Sequence, residues 1–277
     1  MIGAEAHDSK PAFIGRLPTV IGLVFGVLIL TLLIVSCGKD QPKTIDDKYQ
    51  GWSKYTYGHF IFYLSPSTPY AGNKPDLARG YERFLTEICA MLEMPVPDGE
   101  ISLYVYANQQ EVQRITGRAV PFSTDSAIHW AGDRRYGYQL TKFLLDRKGI
   151  KPGQFHVVYE GLANLLDFSS KDYHDLTAAL VVSGSFVDLS DLASNAVFDT
   201  LPPDIQQCES ASLVGYLLYS YDLDRVTRLS NSLGSWEESL EAVLGTKPAE
   251  LEKNWLDFAR EKRGGPETPP PTDTSKY

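Results

Sequence analysis

Alternating apolar residues in the first part of the chain predict a small sheet. Residues 55–64 are rich in aromatic side chains and alternate in their second half, which predicts one strand that ends at the Ser-Pro-Ser-Thr-Pro turn. Residues 101–106, Ile-Ser-Leu-Tyr-Val-Tyr, alternate in the same way. Residues 127–130 indicate a further short strand, so we expect at least three strands here.

Helical spacing of apolar residues dominates the rest of the chain. An amphipathic helix is predicted from Asp76 to Met94, where Pro95 ends the pattern, and Asn108 is suited to cap a short helix. Beyond Tyr136 the predicted helices cover residues 138–146, 157–168, 173–182, 211–221, 223–233, 236–244 and 248–262. The order of elements predicts an α+β fold, in which a small mixed sheet with helices precedes a mainly helical half.

The N-terminal region contains an uncharged apolar run from Leu17 to Ser36, preceded by Lys10 and Arg16. A run of this length is typical of an export signal or of a membrane span. The two basic residues favour a cytoplasmic position for the beginning of the chain. We therefore expect everything after Cys37 to lie on the extracytoplasmic side of a membrane.

The apolar run ends in Ile-Val-Ser-Cys, residues 34–37, which resembles the bacterial lipobox. That resemblance implies that residues 1–36 are a lipoprotein signal peptide and that Cys37 becomes an acylated N-terminus. Each buried CH2 group contributes roughly 0.8 kcal/mol, so several acyl chains anchor a protein stably. The alternative is an uncleaved membrane helix, because about 20 apolar residues are enough to span a bilayer.

Both alternatives tether the protein to a membrane through its N-terminus, with residues 37–50 as the tether. In a diderm bacterium, Gly38 after the cysteine favours the outer membrane or its periplasmic face over the inner membrane, and in other bacteria the protein would lie at the cell surface. Residues 51–263 are long enough for one globular domain. Residues 264–277 are rich in proline and polar side chains, which predicts a disordered tail.

Charge and cysteine content exclude several classes of partner. The net charge of -9 argues against nucleic acid and against a polybasic membrane contact. Cys89 and Cys208 are the cysteines that remain after Cys37, and they show no Cys-x-x-Cys spacing for a structural metal. Two alternatives stay open for them: a disulfide formed in an oxidising compartment, or two buried thiols.

Residues 159–166, Tyr-Glu-Gly-Leu-Ala-Asn-Leu-Leu, resemble the gluzincin metallopeptidases, specifically the peptidase-MA-like domain related to aminopeptidase N. In that family a Glu-Gly-Leu/Phe-Ala helix supplies the third zinc ligand, which implies that Glu160 stands at the ligand position. The family's His-Glu-Leu-Thr-His helix, which follows a strand, corresponds here to residues 138–142, Tyr-Gln-Leu-Thr-Lys. Residues 211–255 resemble the closing helices. The likeness covers roughly residues 55–260 and implies a zincin-like fold.

The catalytic positions of that family are all altered in this chain. A working gluzincin binds zinc through two histidines at i and i+4 and a glutamate, while a second glutamate acts as general base. Here Tyr138 carries a phenol that is protonated near neutral pH, Gln139 cannot accept a proton from water, and Lys142 places an ammonium where a dication would be. We expect no zinc, no other cofactor and no hydrolysis.

The spacing of Tyr138 and Lys142 leads to a specific hypothesis about Glu160. Because an isolated carboxylate is unfavourable inside a protein, the Lys142 ammonium would replace the metal and neutralise Glu160. The alternative is that Lys142 extends to solvent while Glu160 caps backbone groups.

Other residues offer weaker candidates for chemistry. His129, His156 and His174 could ligate a relocated metal with Glu160 or Asp133, but their irregular spacing gives no support for it. Tyr216 and Tyr219 lie where the family can present a tyrosine to the reacting carbonyl, and without a metal we expect them to pack in the core.

The sequence thus predicts an exported, membrane-anchored pseudo-peptidase. Its expected role is to bind a peptide, a protein or another envelope component, or to act as a scaffold. An active hydrolase with unconventional metal ligands is the alternative.

Overall fold

The computed structural model of the protein describes residues 47–262. The chain divides into two compact units, residues 1–50 and 51–277. Of the first unit the structure describes a single 3-10 turn, Asp47–Tyr49. The predictions for the signal segment, for Cys37, for most of the tether and for the tail lie outside the described residues.

Five strands form one mixed sheet in the order β1-β2-β3-β5-β4. The outer pairs β1-β2 and β5-β4 are antiparallel, and β3 runs parallel to both of its neighbours. This is the small mixed sheet that the sequence predicted. The strands are β1 (Ser53–Tyr57), β2 (Phe60–Leu64), β3 (Ile101–Val105), β4 (Phe122–Ser123) and β5 (Ala127–Trp130).

Eleven α-helices accompany the sheet in residues 47–262, and most of them follow it in the chain. Two lie between strands, α1 (Lys74–Met91) and α2 (Gln109–Thr116). The others make up the helical half of an α+β fold: α3 (Tyr138–Lys148), α4 (His156–Leu165), α5 (Tyr173–Ser183), α6 (Leu189–Leu192), α7 (Asn195–Phe198), α8 (Pro203–Ser220), α9 (Leu223–Ser230), α10 (Trp236–Leu244) and α11 (Pro248–Lys262). Within the same residues no helix is both long enough and apolar enough to cross a bilayer.

The prediction of a single strand over residues 55–64 was wrong, because the chain reverses inside it. Gly58 has a φ of +53°, and Tyr57 on β1 pairs directly with Phe60 on β2. A positive φ is accessible to glycine without the steric cost that a Cβ brings. The aromatic residues on both sides of this tight turn concealed it, and Gly58 was the signal for it.

The predicted helices are present with shifted ends, and the largest shift is in α8. This helix starts at Pro203 rather than at residue 211. Its early residues Gln207, Glu209 and Ser210 are buried although they are polar, so they showed no apolar stripe. The Asn108 cap is confirmed, since its side chain accepts a hydrogen bond from the Glu111 N–H at 3.0 Å.

One main hydrophobic core joins one face of the sheet to the helices. Its largest fully buried side chains include Trp130 on β5, Tyr81 on α1 and Trp255 on α11. Cys89 belongs to this core, whereas Cys208 lies in a smaller cluster of its own. Both cysteines are free and buried, so the structure has the thiol alternative rather than the disulfide, and burial raises the pKa of both thiols.

Candidate functional site

Helices α3 and α4 bring together Tyr138, Lys142 and Glu160, the positions at which the resemblance expects metal ligands. Tyr138 is the first residue of α3, and Lys142 lies one turn later on the same face because residues i and i+4 are neighbours on a helix. Glu160 projects from α4 toward both side chains. Its Oε2 accepts a hydrogen bond from the Tyr138 hydroxyl at 2.5 Å, and its Oε1 accepts one from Lys142 Nζ at 2.7 Å.

The Lys142 ammonium is enclosed by the carboxylate and by aromatic rings. It lies 5.2 Å from the ring centroid of Tyr138 and 5.3 Å from that of Tyr159, which are cation–π distances. The Lys142 and Glu160 side chains are 24% and 23% exposed. The predicted ion pair is therefore confirmed, and the alternative that Lys142 simply extends to solvent was wrong.

Tyr138 acts as a hydrogen-bond donor in this cluster and stays protonated. Its pKa is raised well above the usual range, first by burial and then by the charge and the hydrogen bond of Glu160. A neutral phenol is a poor metal ligand, and the nearby ammonium repels a dication. Both carboxylate oxygens of Glu160 already accept hydrogen bonds, so these residues do not fit a zinc ion.

Gln139 points away from the cluster toward the sheet. Its side chain is 6% exposed and donates a hydrogen bond from Nε2 to the Pro121 carbonyl at 3.3 Å. Its Oε1 has no hydrogen-bond partner among the described residues. This amide belongs to the packing between α3 and the segment before β4, and it has no role beside Glu160.

Gly161 positions Glu160 by allowing α4 to approach α8 closely. A Cβ at Gly161 would collide with the Ser210 carbonyl oxygen and with the Val214 side chain, both on α8. The contact is strengthened nearby, where Asn164 donates a hydrogen bond to Ser210 Oγ at 3.1 Å. The glycine after Glu160 is thus required by backbone packing and not by zinc chemistry.

The candidate residues for a relocated metal are dispersed over different partners. His156 Nδ1 lies 2.9 Å from Asp199 Oδ1, and His174 Nδ1 lies 2.9 Å from Ser212 Oγ. His129 stacks against the ring of Phe122. In the part of the chain that the structure describes, no group of three or more His, Cys, Asp or Glu side chains could hold a metal ion.

Asp133 and the two tyrosines of α8 also have separate surroundings. Asp133 accepts a hydrogen bond from Trp130 Nε1 at 3.0 Å. Tyr216 is 8% exposed, as predicted for a core residue, but Tyr219 is 71% exposed, so its predicted burial was wrong. Tyr219 is the second-last residue of α8 and lies past Leu217, the last buried residue of that helix.

Glu209 is a buried carboxyl group that the sequence analysis missed. It lies on α8 with no exposed surface, and its Oε1 accepts a hydrogen bond from the Val187 N–H at 3.1 Å. Burial raises its pKa to about 8, and the charges of Asp188 and Glu252 add to the shift while the Val187 hydrogen bond opposes it. A lone Glu among the small residues Cys-Glu-Ser-Ala-Ser was the signal in the sequence.

The fold is expected to lose stability between pH 6 and 8 because of Glu209. The folded state keeps this proton at pH values where the unfolded carboxyl, with its ordinary pKa near 4.5, has lost it. The free energy of unfolding therefore falls as the pH rises, by about 1 kcal/mol per pH unit. Urea unfolding of Glu209→Gln should lack this slope, whereas the exposed Glu237→Gln control should keep it. Equal slopes in both variants would refute the assignment.

No protein-family model matches the chain, and no curated protein matches it.

Proposed function

We propose that the protein is a membrane-anchored, extracytoplasmic lipoprotein whose domain is a catalytically inactive relative of the gluzincin peptidases. Its role is binding or scaffolding in the cell envelope. The observation that carries the proposal is the ammonium of Lys142, which lies 2.7 Å from the carboxylate of Glu160. A cation held by the protein itself thus neutralises the residue that would otherwise be a zinc ligand.

The arrangement of elements supports a zincin-like fold. The helix that carries Tyr138 and Lys142 follows the last strand of a small mixed sheet, and the helix that carries Glu160 comes next in the chain and lies against it. The resemblance implies this order for a His-Glu-x-x-His helix followed by a glutamate helix. Conversion of the three metal-ligand positions would need only changes of side chains, because Tyr138, Lys142 and Glu160 already meet at one point. Gln139, at the general-base position, points away from them.

The competing proposal is a hydrolase with unconventional metal ligands. The full chain, purified in detergent without chelators, should contain no stoichiometric zinc by elemental analysis and should leave a mixed peptide library intact. Peptide cleavage that a chelator abolishes would support the hydrolase instead.

Anchorage through Cys37 has a direct chemical test. Mass spectrometry of the membrane-bound protein should find an N-terminal Cys37 that carries acyl chains, because acylation precedes removal of residues 1–36 in lipoproteins with a lipobox. The Cys37→Ser variant should retain the full-length mass. An intact Met1 on the unmodified protein would favour the uncleaved membrane helix, and a wild-type chain that stays in the soluble fraction would contradict both forms of anchorage.

A further inference from the structure

A cavity of about 240 Å³ opens beside the first half of α1, away from the altered catalytic positions. One wall is a stripe of α1 residues at helical spacing, among them Gly80, Arg83 and Phe84. Tyr70 and Tyr136 also line the cavity, beside Phe84. Neither Lys142 nor Glu160 lines this cavity, so it is a separate feature of the fold.

Aromatic rings give the cavity a rigid, flat lining. Tyr136 stacks on Phe84 with ring centroids 5.9 Å apart, and Tyr70 packs against Trp130 at 5.1 Å. The hydroxyl groups of Tyr70 and Tyr136 lie 3.2 Å from each other, and Tyr70 also donates to the Gly132 carbonyl at 3.4 Å. The polar ends of both tyrosines are therefore held by the protein, and their ring edges remain to contact a planar apolar group.

Arg83 places a positive charge at this cavity, and the described residues neutralise that charge only weakly. Its Nε is shielded from solvent and has no hydrogen-bond partner among the described residues. Its closest carboxylate there is Glu87, whose Oε1 lies 3.7 Å from Nε, too far for a hydrogen bond. Arg79, the other arginine of the lining, already pairs with Asp76. The Arg83 side chain is nevertheless 32% exposed, so the part of its guanidinium beyond the shielded Nε is suited to bind an anion. A guanidinium group matches carboxylate geometry well.

Gly80 keeps the cavity open at a cost to the helix. A glycine inside a helix is less stable than alanine by about 0.5–1 kcal/mol. Among the described residues, a Cβ at Gly80 would meet only the Phe84 ring, at an ordinary contact distance of 3.7 Å. Packing of the fold therefore does not require glycine here, in contrast to Gly161, and a larger side chain would project into the cavity.

We propose that this cavity binds an aromatic group that carries a carboxylate, with the ring against the side chains of Tyr70, Phe84 and Tyr136 and the carboxylate on Arg83. Complete small-molecule sites usually have volumes of roughly 300–1,000 Å³, so this cavity fits one ring-sized group rather than a large ligand. Two sources share that chemistry: a free aromatic acid, and the C-terminal aromatic residue of a peptide. The proposal does not depend on the loss of the zinc site.

Three probes test the proposal on the full chain in detergent, by ligand-observed NMR and calorimetry. They are 3-phenylpropionate, the peptide acetyl-Ala-Ala-Phe with a free carboxylate, and the same peptide as its C-terminal amide. At least one acid should bind, and the amide should bind the protein at least tenfold more weakly than its acid, because it lacks the charge-assisted hydrogen bond. Binding of the peptide acid alone identifies a peptide source, and comparable binding of phenylpropionate identifies a free acid.

Variants connect the binding to the cavity. Gly80→Leu should abolish binding of the acids by filling the cavity, and its thermal unfolding shows whether the fold persists. Arg83→Gln should weaken binding of the acids at least tenfold without changing that of the amide, whereas Arg228→Gln on α9 is a matched exposed control and should change neither. Equal binding of acid and amide, unchanged binding by folded Gly80→Leu, or no binding of either acid would overturn the proposal.

Discussion

Replacing Lys142 by methionine is expected to destabilise the fold by about 2–3 kcal/mol. Methionine keeps much of the aliphatic length of the side chain but removes the ammonium that lies 2.7 Å from Glu160 Oε1. The carboxylate, which is 23% exposed, then keeps only the hydrogen bond from Tyr138. Loss of a charged hydrogen-bond partner at a largely buried site has this magnitude. Urea unfolding at pH 7 measures the change.

A second substitution tests the reason for that loss. Adding Glu160→Gln to Lys142→Met removes the unpaired charge, so the double variant should regain at least half of the lost free energy. The matched control is Lys253→Met on α11, an exposed lysine that pairs with Asp257 at 2.9 Å and should change stability little. If Lys142→Met is no less stable than the Lys253 control, the ammonium does not stabilise Glu160.

Replacing Gly161 by alanine is expected to cost about 3 kcal/mol or to prevent folding. The added Cβ would collide with the Ser210 carbonyl oxygen, which belongs to the backbone of α8 and cannot rotate away. Overpacking of a close helix contact costs about 1–3 kcal/mol, and a backbone collision lies at the upper end of that range. Because Gly161 adjoins Glu160, the helix shift should also weaken the Lys142–Glu160 contact.

The glycine on α1 provides the matched control. Gly80→Ala adds the same methyl group to a helix but meets only a side chain at contact distance, so it should stabilise the fold by about 0.5–1 kcal/mol. Opposite signs for the two glycines, measured by urea unfolding, are the expected result. A Gly161→Ala variant as stable as the unmodified protein would show that α4 and α8 are not packed as closely as described.

Local periodicity was enough to predict most of the fold. The strand at residues 101–105 and the helices that begin at Tyr138 and Trp236 are close to their predicted ranges because their apolar residues face one core. Elements too short to show a periodic pattern of apolar and polar residues were not predicted. The four-residue helices α6 and α7 are too short to show a period, and the two-residue strand β4 exists only through its pairing with β5.

The candidate site was predictable only where a motif fixed the positions of side chains. The i, i+4 spacing and the resemblance together predicted the pairing of Lys142 with Glu160. Tyr138 donates a hydrogen bond to the same carboxylate. The direction of Gln139 was not predictable, because it depends on the tertiary contact with the Pro121 carbonyl. The burial of Glu209 depends on contacts with the distant residue Val187, and its local sequence marked it only as a lone Glu among small residues. The cavity at Arg83 needs Tyr136, which is distant in the chain, to complete its lining.

The most direct test of the central claim is the zinc content of the triple variant Tyr138→His, Gln139→Glu and Lys142→His beside the unmodified full chain. Histidines at 138 and 142 would lie beside Glu160, at positions whose side chains now contact it, and would create a three-ligand site. We expect about one zinc per chain in the triple variant, none in the unmodified protein, and loss of zinc when Glu160→Gln is added. One zinc per chain in the unmodified protein, or none in the triple variant, would contradict the central claim.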